Sequence, residues 1–252
     1  MDRLVGRAPA GRPTTMCGRF TQRLSWRELH ELLGLIGTPQ NLRPRYNVAP
    51  GQSIAAVRLA DGGLRLSMLR WGLVPAWAKE PNIGYKLINA RSETAHQKPS
   101  FRAAFKARRC LIPADGFYEW KREGKAKQPY LIGMKDGAGF VFAGLWESWR
   151  VPEGLALTGS LSELVPGDTL ETCTILTTEA NTTLAPIHPR MPVLLPPDAY
   201  DPWLAGEAVP LAPYPADAMT FHPVSALVNK PANDDERCVE SAGSNARYPF
   251  IR

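Results

Sequence analysis

A cysteine, an amide, a carboxylate and a histidine stand out for what they could do together. Cys17 lies in MCGRF, Asn89 with Arg91 in INARSET, Glu119 in ADGFYEW, and His188 with Arg190 in APIHPRMP. Thiol or amine nucleophilic chemistry needs a nucleophile, a group that moves protons and a donor that orients the reacting atoms, and these side chains are a minimum set for it. Each alone has an ordinary use. A lone cysteine packs as a small apolar residue, a glutamate between aromatics can pair with an arginine, and histidine before proline is common in loops. Spacing along the chain leaves open whether they meet.

The elements that must position them are partly legible. Ser25 and Glu28 have the spacing of a capping box, and Trp26, Leu29, Leu32 and Leu33 follow at helical period, which predicts a helix over 25–34 ended by Gly34 and Gly37. Between Ile54 and Arg70 two short apolar runs flank Asp61-Gly62-Gly63, the pattern of a β-hairpin. Further strands are predicted over 110–113, 130–134, 139–145, 173–178 and 191–195. Ser100 is placed to cap a basic helix, FRAAFKARR, and Asp198 another near Trp203. Helices interrupt strands without regular alternation, which points to an α+β class: a single domain over 17–240, with a largely antiparallel, barrel-like sheet flanked by short helices. Residues 151–170, punctuated by Gly, Ser and Pro, read as a surface insertion, and 241–252 as a polar tail.

Composition excludes several classes. The 252 residues are 44% hydrophobic and 21% charged, ordinary globular usage that disfavours disordered, collagen-like and disulfide-scaffold proteins. Charged residues break every apolar run well before the roughly 18 residues of a membrane span, so no membrane partner is expected. The four cysteines, Cys17, Cys110, Cys173 and Cys238, form no CxxC, which argues against a metal site and for a reducing, cytoplasmic setting. A net charge of +6 permits a nucleic-acid partner without demanding one. Residues 1–16 carry three arginines, one aspartate and no apolar stretch long enough for a secretory signal. Met16 is therefore read as the working initiator, whose removal exposes Cys17. The formal charge then falls from +6 to +4, since three positive charges and one negative leave.

Taken in order, MCGRF, RYNVAPGQ (45–52), RWGLVPAWAK (70–79), INARSET (88–94), RRCLIPADGFYEW (108–120), TILTTEAN (174–181), APIHPRMPVLL (185–195) and HPVS (222–225) resemble the SOS response-associated peptidase family, also called abasic-site processing proteins, over about 16–240. The resemblance implies that the protein senses abasic sites in single-stranded DNA and crosslinks to them covalently, with autopeptidase activity that frees the cysteine. An N-terminal cysteine suits that chemistry. Its α-amine, with an ordinary pKa of about 7.7–8, is substantially neutral and nucleophilic at about pH 7–8 and forms a Schiff base with the abasic aldehyde. The thiol on the adjacent carbon then closes a thiazolidine, helped by intramolecular proximity. The same imine permits β-elimination, hence lyase activity. By resemblance, Asn89 positions the cysteine and sugar, Glu119 shuttles protons, and His188 acts as acid and base at the sugar hydroxyl and in crosslink reversal. Arg19, Arg91 and Arg190 would hold phosphates, and Trp77 would stack on or wedge beside a base. No cofactor is implied, and a monomer is the default. Residues before Cys17 depart from the family pattern, in which the cysteine follows the initiator directly. Two other readings compete: a general cysteine peptidase using Cys17, His188 and Glu119, and a non-covalent single-strand binding module.

The remaining candidates are read as structural. Cys110, Cys173 and Cys238 lie in or beside apolar runs and are expected in the core. His30 and His96 are expected to face solvent, and His222 to be structural. Lys121, Arg122, Lys125 and Lys127, with Glu123 among them, read as a solvated hairpin turn. Arg102, Lys106, Arg108 and Arg109 have a better claim on phosphate.

Overall fold

The structure, a computed structural model, describes residues 17–60, 62–124 and 126–242. The extension 1–16, the tail beyond residue 242, Asp61 of the expected hairpin turn and Lys125 of the basic turn lie outside the described residues. In chain order the strands are β1 (Arg19–Gln22), β2 (Arg45–Val48), β3 (Ser53–Ala60), β4 (Gly63–Trp71), β5 (Asn89–Arg91), β6 (Arg109–Ala114), β7 (Gly116–Glu123), β8 (Ala126–Met134), β9 (Phe140–Arg150), β10 (Thr169–Glu179), β11 (Arg190–Pro192), β12 (Leu194–Leu195) and β13 (Met219–Pro223). The α-helices are short: α1 (Trp26–Leu33), α2 (Ser92–Ala95), α3 (Arg102–Ala107) and α4 (Tyr200–Leu204).

Two sheets share one core. In the first, the order is β13-β8-β7-β1-β2, antiparallel throughout. The second closes on itself: β10 pairs with β4, β4 with β3, β3 with β6, β6 with β9, and β9 back with β10. Closure removes exposed edges, and the parallel β4–β10 pairing completes the ring. Short strands extend it, with β5 and β11 on β10 and β12 on β9. The α+β class with a largely antiparallel, barrel-like sheet is thus observed.

The pleat explains why the barrel strands read as unbroken apolar runs. Ile54 and Ala56 of β3, Ile112 of β6 and Phe142 of β9 pack inward with Phe20, Phe117 and Trp71. Their neighbours Ala55, Val57, Leu111, Val141 and Ala143 pack outward under Leu29, Leu33 and Trp203. Both faces are buried, so alternation is lost from sequence although each strand keeps a period of two. Cys110 and Cys173 are buried in the inner cluster. Cys238 is buried as well, in a 3-10 turn rather than a strand. His30 and His96 are exposed as expected, while His222 is half-buried with Nε2 3.0 Å from the Val239 carbonyl.

Local expectations divide by cause. Helix α1 begins as its sequence says: the Ser25 side chain accepts from the Glu28 amide at 3.3 Å, Glu28 accepts from the Ser25 amide at 2.7 Å, and Gly34 ends it at φ 63°. Ser100 and Asp198 do not cap. Phe101 and Ala199 occupy the N-cap positions, and neither helix has a side-chain cap. A preceding turn feeds each helix directly, so carbonyls of Lys98 and of Pro196 and Pro197 already accept amides at its start. The segment 151–168 joins β9 to β10 at the surface as expected, with Leu155, Leu157 and Leu164 packed on Val74 and Trp149. At the other end, Ser241 still pairs with Val224.

Candidate active site

Strand β1 lies between β7 and β2 in its sheet, and Cys17 lies two residues before it. Cys17 is 1% exposed and has φ 29°, in the left-handed region that residues with a Cβ seldom enter. Its backbone nitrogen donates to Glu119 Oε1 at 2.7 Å. Glu119 reaches that nitrogen because β7 pairs with β1 and turns Phe117 and Glu119 toward the shared core, while Tyr118 between them faces the other way. Asn89 approaches from the barrel side. It begins β5, docked on β10 through the Asn89–Ile175 register, and its Nδ2 donates to the Cys17 carbonyl at 3.4 Å. The Trp71 indole holds this approach by donating to the Ile88 carbonyl at 2.9 Å.

His188 is carried by the loop that leads into β11. This strand pairs with the end of β10, and the loop before it brings His188 beside Arg190. Nδ1 lies 3.2 Å from both the amide nitrogen and the carbonyl oxygen of Arg190, whereas Nε2 is buried with no hydrogen-bond partner. A polar ring atom left in that state is costly unless something else meets it. The structure joins Cys17, Glu119 and Asn89 by direct hydrogen bonds and anchors His188 within its own loop.

Burial dominates the electrostatics. Glu119, buried to 3% exposure, has its carboxyl pKa pushed up to about 8 by desolvation, against the opposing hydrogen bonds from Cys17 and Trp120. Burial, and then the Glu119 carboxylate, push the Cys17 thiol well above its ordinary value. That is the reverse of an activated thiolate. The His188 ring is held low, chiefly by burial and further by the Arg190 cation, with the Arg190 backbone acting in the other direction. A carboxyl poised near 8 is suited to proton transfer at physiological pH.

The cationic and aromatic candidates separate. Arg91 is exposed at the end of β5. Arg190 forms a bidentate ion pair with Glu93 on α2 and donates to the Thr177 carbonyl at 2.7 Å. Glu93 and Thr177 lie inside the INARSET and TILTTEAN blocks, but nothing in their spacing singles them out. Trp77 is 59% exposed, and its indole sits 3.4 Å from the Pro99 carbonyl. Arg19 is elsewhere. On the opposite face of β1, its guanidinium donates to Asn47 Oδ1 at 2.8 Å and to the carbonyls of Val228 and Asn229 at 2.6 and 3.2 Å, which ties down the C-terminal segment. Arg108 and Arg109 are likewise committed to the fold. Arg108 pairs with Glu147 at 2.6 Å, and Arg109 lies against Phe105 and Trp203, 4.8 and 4.3 Å from their ring centroids. Of that basic cluster only Arg102 and Lys106 remain exposed. Among the described residues, no group of three or more His, Cys, Asp and Glu could hold a metal ion, and no helix is long and apolar enough to cross a membrane.

Comparison with known proteins identifies the family. The profile of the SOS response associated peptidase (SRAP) family matches residues 16–231. The chain is 43% identical over 239 residues to the Bacillus subtilis abasic site processing protein YoqW, covering 90% of this chain and 100% of that one. It is 33% identical to the Escherichia coli abasic site processing protein YedK, over 89% of this chain and 99% of the relative. Among solved structures, a Bacteroides thetaiotaomicron protein superposes with a TM-score of 0.77 at 24% identity, over 90% of this chain and 100% of that one, a likeness of fold.

Proposed function

The chain belongs to the SOS response associated peptidase family, and on that premise we propose that it acts in the DNA damage response by capturing abasic sites in single-stranded DNA as a covalent thiazolidine at Cys17. The observation that carries this reading is the placement of Glu119 Oε1 2.7 Å from the Cys17 backbone nitrogen. A cysteine peptidase needs its carboxylate and imidazole arranged around sulfur. Here the carboxylate addresses nitrogen, and the thiol is held protonated.

Once the Met16–Cys17 bond is cut, that nitrogen is an α-amine. It attacks the aldehyde carbon of the ring-opened sugar, and the resulting hydroxyl leaves as water to give an imine. Glu119 takes the proton released by the amine and returns it to the departing hydroxyl. The Cys17 sulfur then adds to the imine carbon while its proton passes to nitrogen, closing the five-membered ring with no atom lost. His188 Nε2, which has no partner of its own, is available to a sugar hydroxyl. Asn89 keeps the Cys17 backbone in place. Arg91 and Arg190 serve as the phosphate contacts, and Trp77 as the exposed ring on which a base stacks. Arg19, committed to Asn47 and the C-terminal carbonyls, is left out of that set. Autopeptidase and lyase activities belong to the same proposal, as does a site of action in the cytoplasm on the chromosome.

Incubation of protein beginning at Cys17 with single-stranded DNA bearing one abasic site should give a heat-stable shifted band on a denaturing gel. The band should vanish with Cys17→Ala and when residues 1–16 are retained. A folded Cys17-starting protein that gives no covalent band refutes the reading. Binding of abasic DNA by the Cys17-starting protein that is wholly lost on the denaturing gel would favour a simple binding module instead.

A further inference from the structure

Arg190 is a two-sided residue. Its backbone sets the His188 ring, and its guanidinium reaches across to α2. There both carboxylate oxygens of Glu93 accept from it, while the Thr177 carbonyl independently holds Nη2 at 2.7 Å. Arg190 Nε is buried without a partner. The two partners are unequally exposed: the arginine side chain is 15% exposed and the glutamate 46%. Arg190 is thus fixed by the body of the protein, and Glu93 is a solvent-facing anion resting on it. A carboxylate paired end-on with both Nη groups of a guanidinium occupies the geometry that a phosphate diester would take.

We propose that Glu93 is a specificity-determining residue that fills the phosphate seat of Arg190 and must be displaced by the DNA backbone. This rests on the reading that Arg190 contacts phosphate. Half-exposed ion pairs are weak and readily exchanged, so a strand anchored at Cys17 can displace Glu93, whereas an intact strand held by charge alone competes poorly. Position along β5 makes the coupling local. Asn89 touches Cys17, and Arg91 follows two residues later, about 7 Å further along a strand. Glu93 lies one step beyond, in the first turn of α2. The exposed Arg91 adds a second cation next to the same carboxylate.

The test measures non-covalent binding of the full chain to intact single-stranded DNA by fluorescence anisotropy, across a salt series. Glu93→Gln keeps the shape and one acceptor but not the charge. It should tighten binding about 3–10-fold beyond Glu31→Gln, a control that removes a remote exposed charge. Because Arg190 then begins as an unpaired cation, log K should fall more steeply with log salt, by about 0.7 in slope. In an Arg190→Ala background the same substitution should do no more than Glu31→Gln. Binding by Glu93→Gln that matches the control or is weaker overturns the proposal and leaves Glu93 as a brace for Arg190. If Glu93→Gln binds no more tightly than the control while the Cys17-starting protein still crosslinks abasic DNA, this inference fails alone. If no crosslink forms, the reading beneath it fails as well.

Discussion

At the scale of single residues the central pair is Glu119 and the Cys17 nitrogen. In the uncut chain that nitrogen is an amide, so Glu119 faces burial without a formal positive partner, and its pKa stands at about 8. A carboxyl raised in the folded state favours folding below its unfolded value, near 4.3, and loses that advantage as pH climbs through about 8. Glu119→Gln in the uncut chain should therefore melt close to the parent at pH 4.5 and above it at pH 9, by about 5 °C or more. Thermal denaturation across that range checks it, and a difference that shrinks toward alkaline pH contradicts it. Cutting before Cys17 changes the sign of the neighbourhood. An ammonium at the same point draws the carboxyl back toward ionisation, and the pair then shares a proton.

Individual residues also show what was readable and what was not. Cys17, Asn89, Glu119 and His188 could be picked out because their types suit the chemistry and because the blocks around them resemble a family. No spacing rule brings residues 17 and 119 together, since the register of β1 against β7 does that. Arg19 and Arg109 illustrate the converse. Their charge suggested phosphate, but each spends its donors on backbone carbonyls, an outcome that sequence conceals because carbonyls carry no letter.

Among the elements, the barrel strands, α1 and the 54–70 hairpin were legible because local chemistry dictates them. Strands β1, β7 and β13 were not foreseen. The inner faces of β1 and β7 alternate, but Arg19, Tyr118 and Trp120 on their outer faces meet the C-terminal segment. The connection from β4 to β5, which carries Trp77, depends on a backbone contact with no apolar signature. A Cβ on Gly84 would stand 2.6 Å from the Gly72 carbonyl oxygen, and one on Gly72 2.7 Å from that of Gly84. The Trp149 indole clasps the same stretch by donating to the Ala78 carbonyl at 2.7 Å. Gly84→Ala must push two main chains apart. It should cost about 1–3 kcal/mol, as overpacking does, or roughly 2–12 °C in melting temperature, and should weaken binding to single-stranded DNA more than a surface substitution such as Arg27→Ala. A melting temperature within 1 °C of the parent would show that the loop yields freely.

For the molecule as a whole, the C-terminal segment closes the first sheet from outside. Asp234 accepts from the amides of Tyr46 and Asn47 at 2.6 and 2.9 Å and from Arg45, while Asn47 donates to the carbonyls of Val228, Lys230 and Asn233. Burial opposes ionisation of Asp234, yet hydrogen bonds from Arg45, Tyr46 and Asn47 outweigh it and hold the carboxyl below its usual range. The stability this confers is full above the unfolded value near 3.9 and is lost as pH drops through the lower folded value. Asp234→Asn should lower the melting temperature at pH 7 by about 3–10 °C, with the gap closing toward pH 3. A gap that stays constant with pH would mean that the carboxylate charge contributes nothing.

Chain order gives the Cys17–Glu119 contact a timetable. The strand that leads into the sheet is made first, but its carboxylate partner lies 102 residues downstream. At roughly 5–20 residues per second of synthesis, the cysteine waits on the order of 5–20 s before Glu119 exists to receive it. During that interval the bond before Cys17 is not yet covered by β7, and a processing enzyme can reach it. Afterwards Cys17 is sealed at 1% exposure. Each molecule therefore has an early period in which its N-terminus can be trimmed before Glu119 is in place, and a later one in which Cys17 is buried.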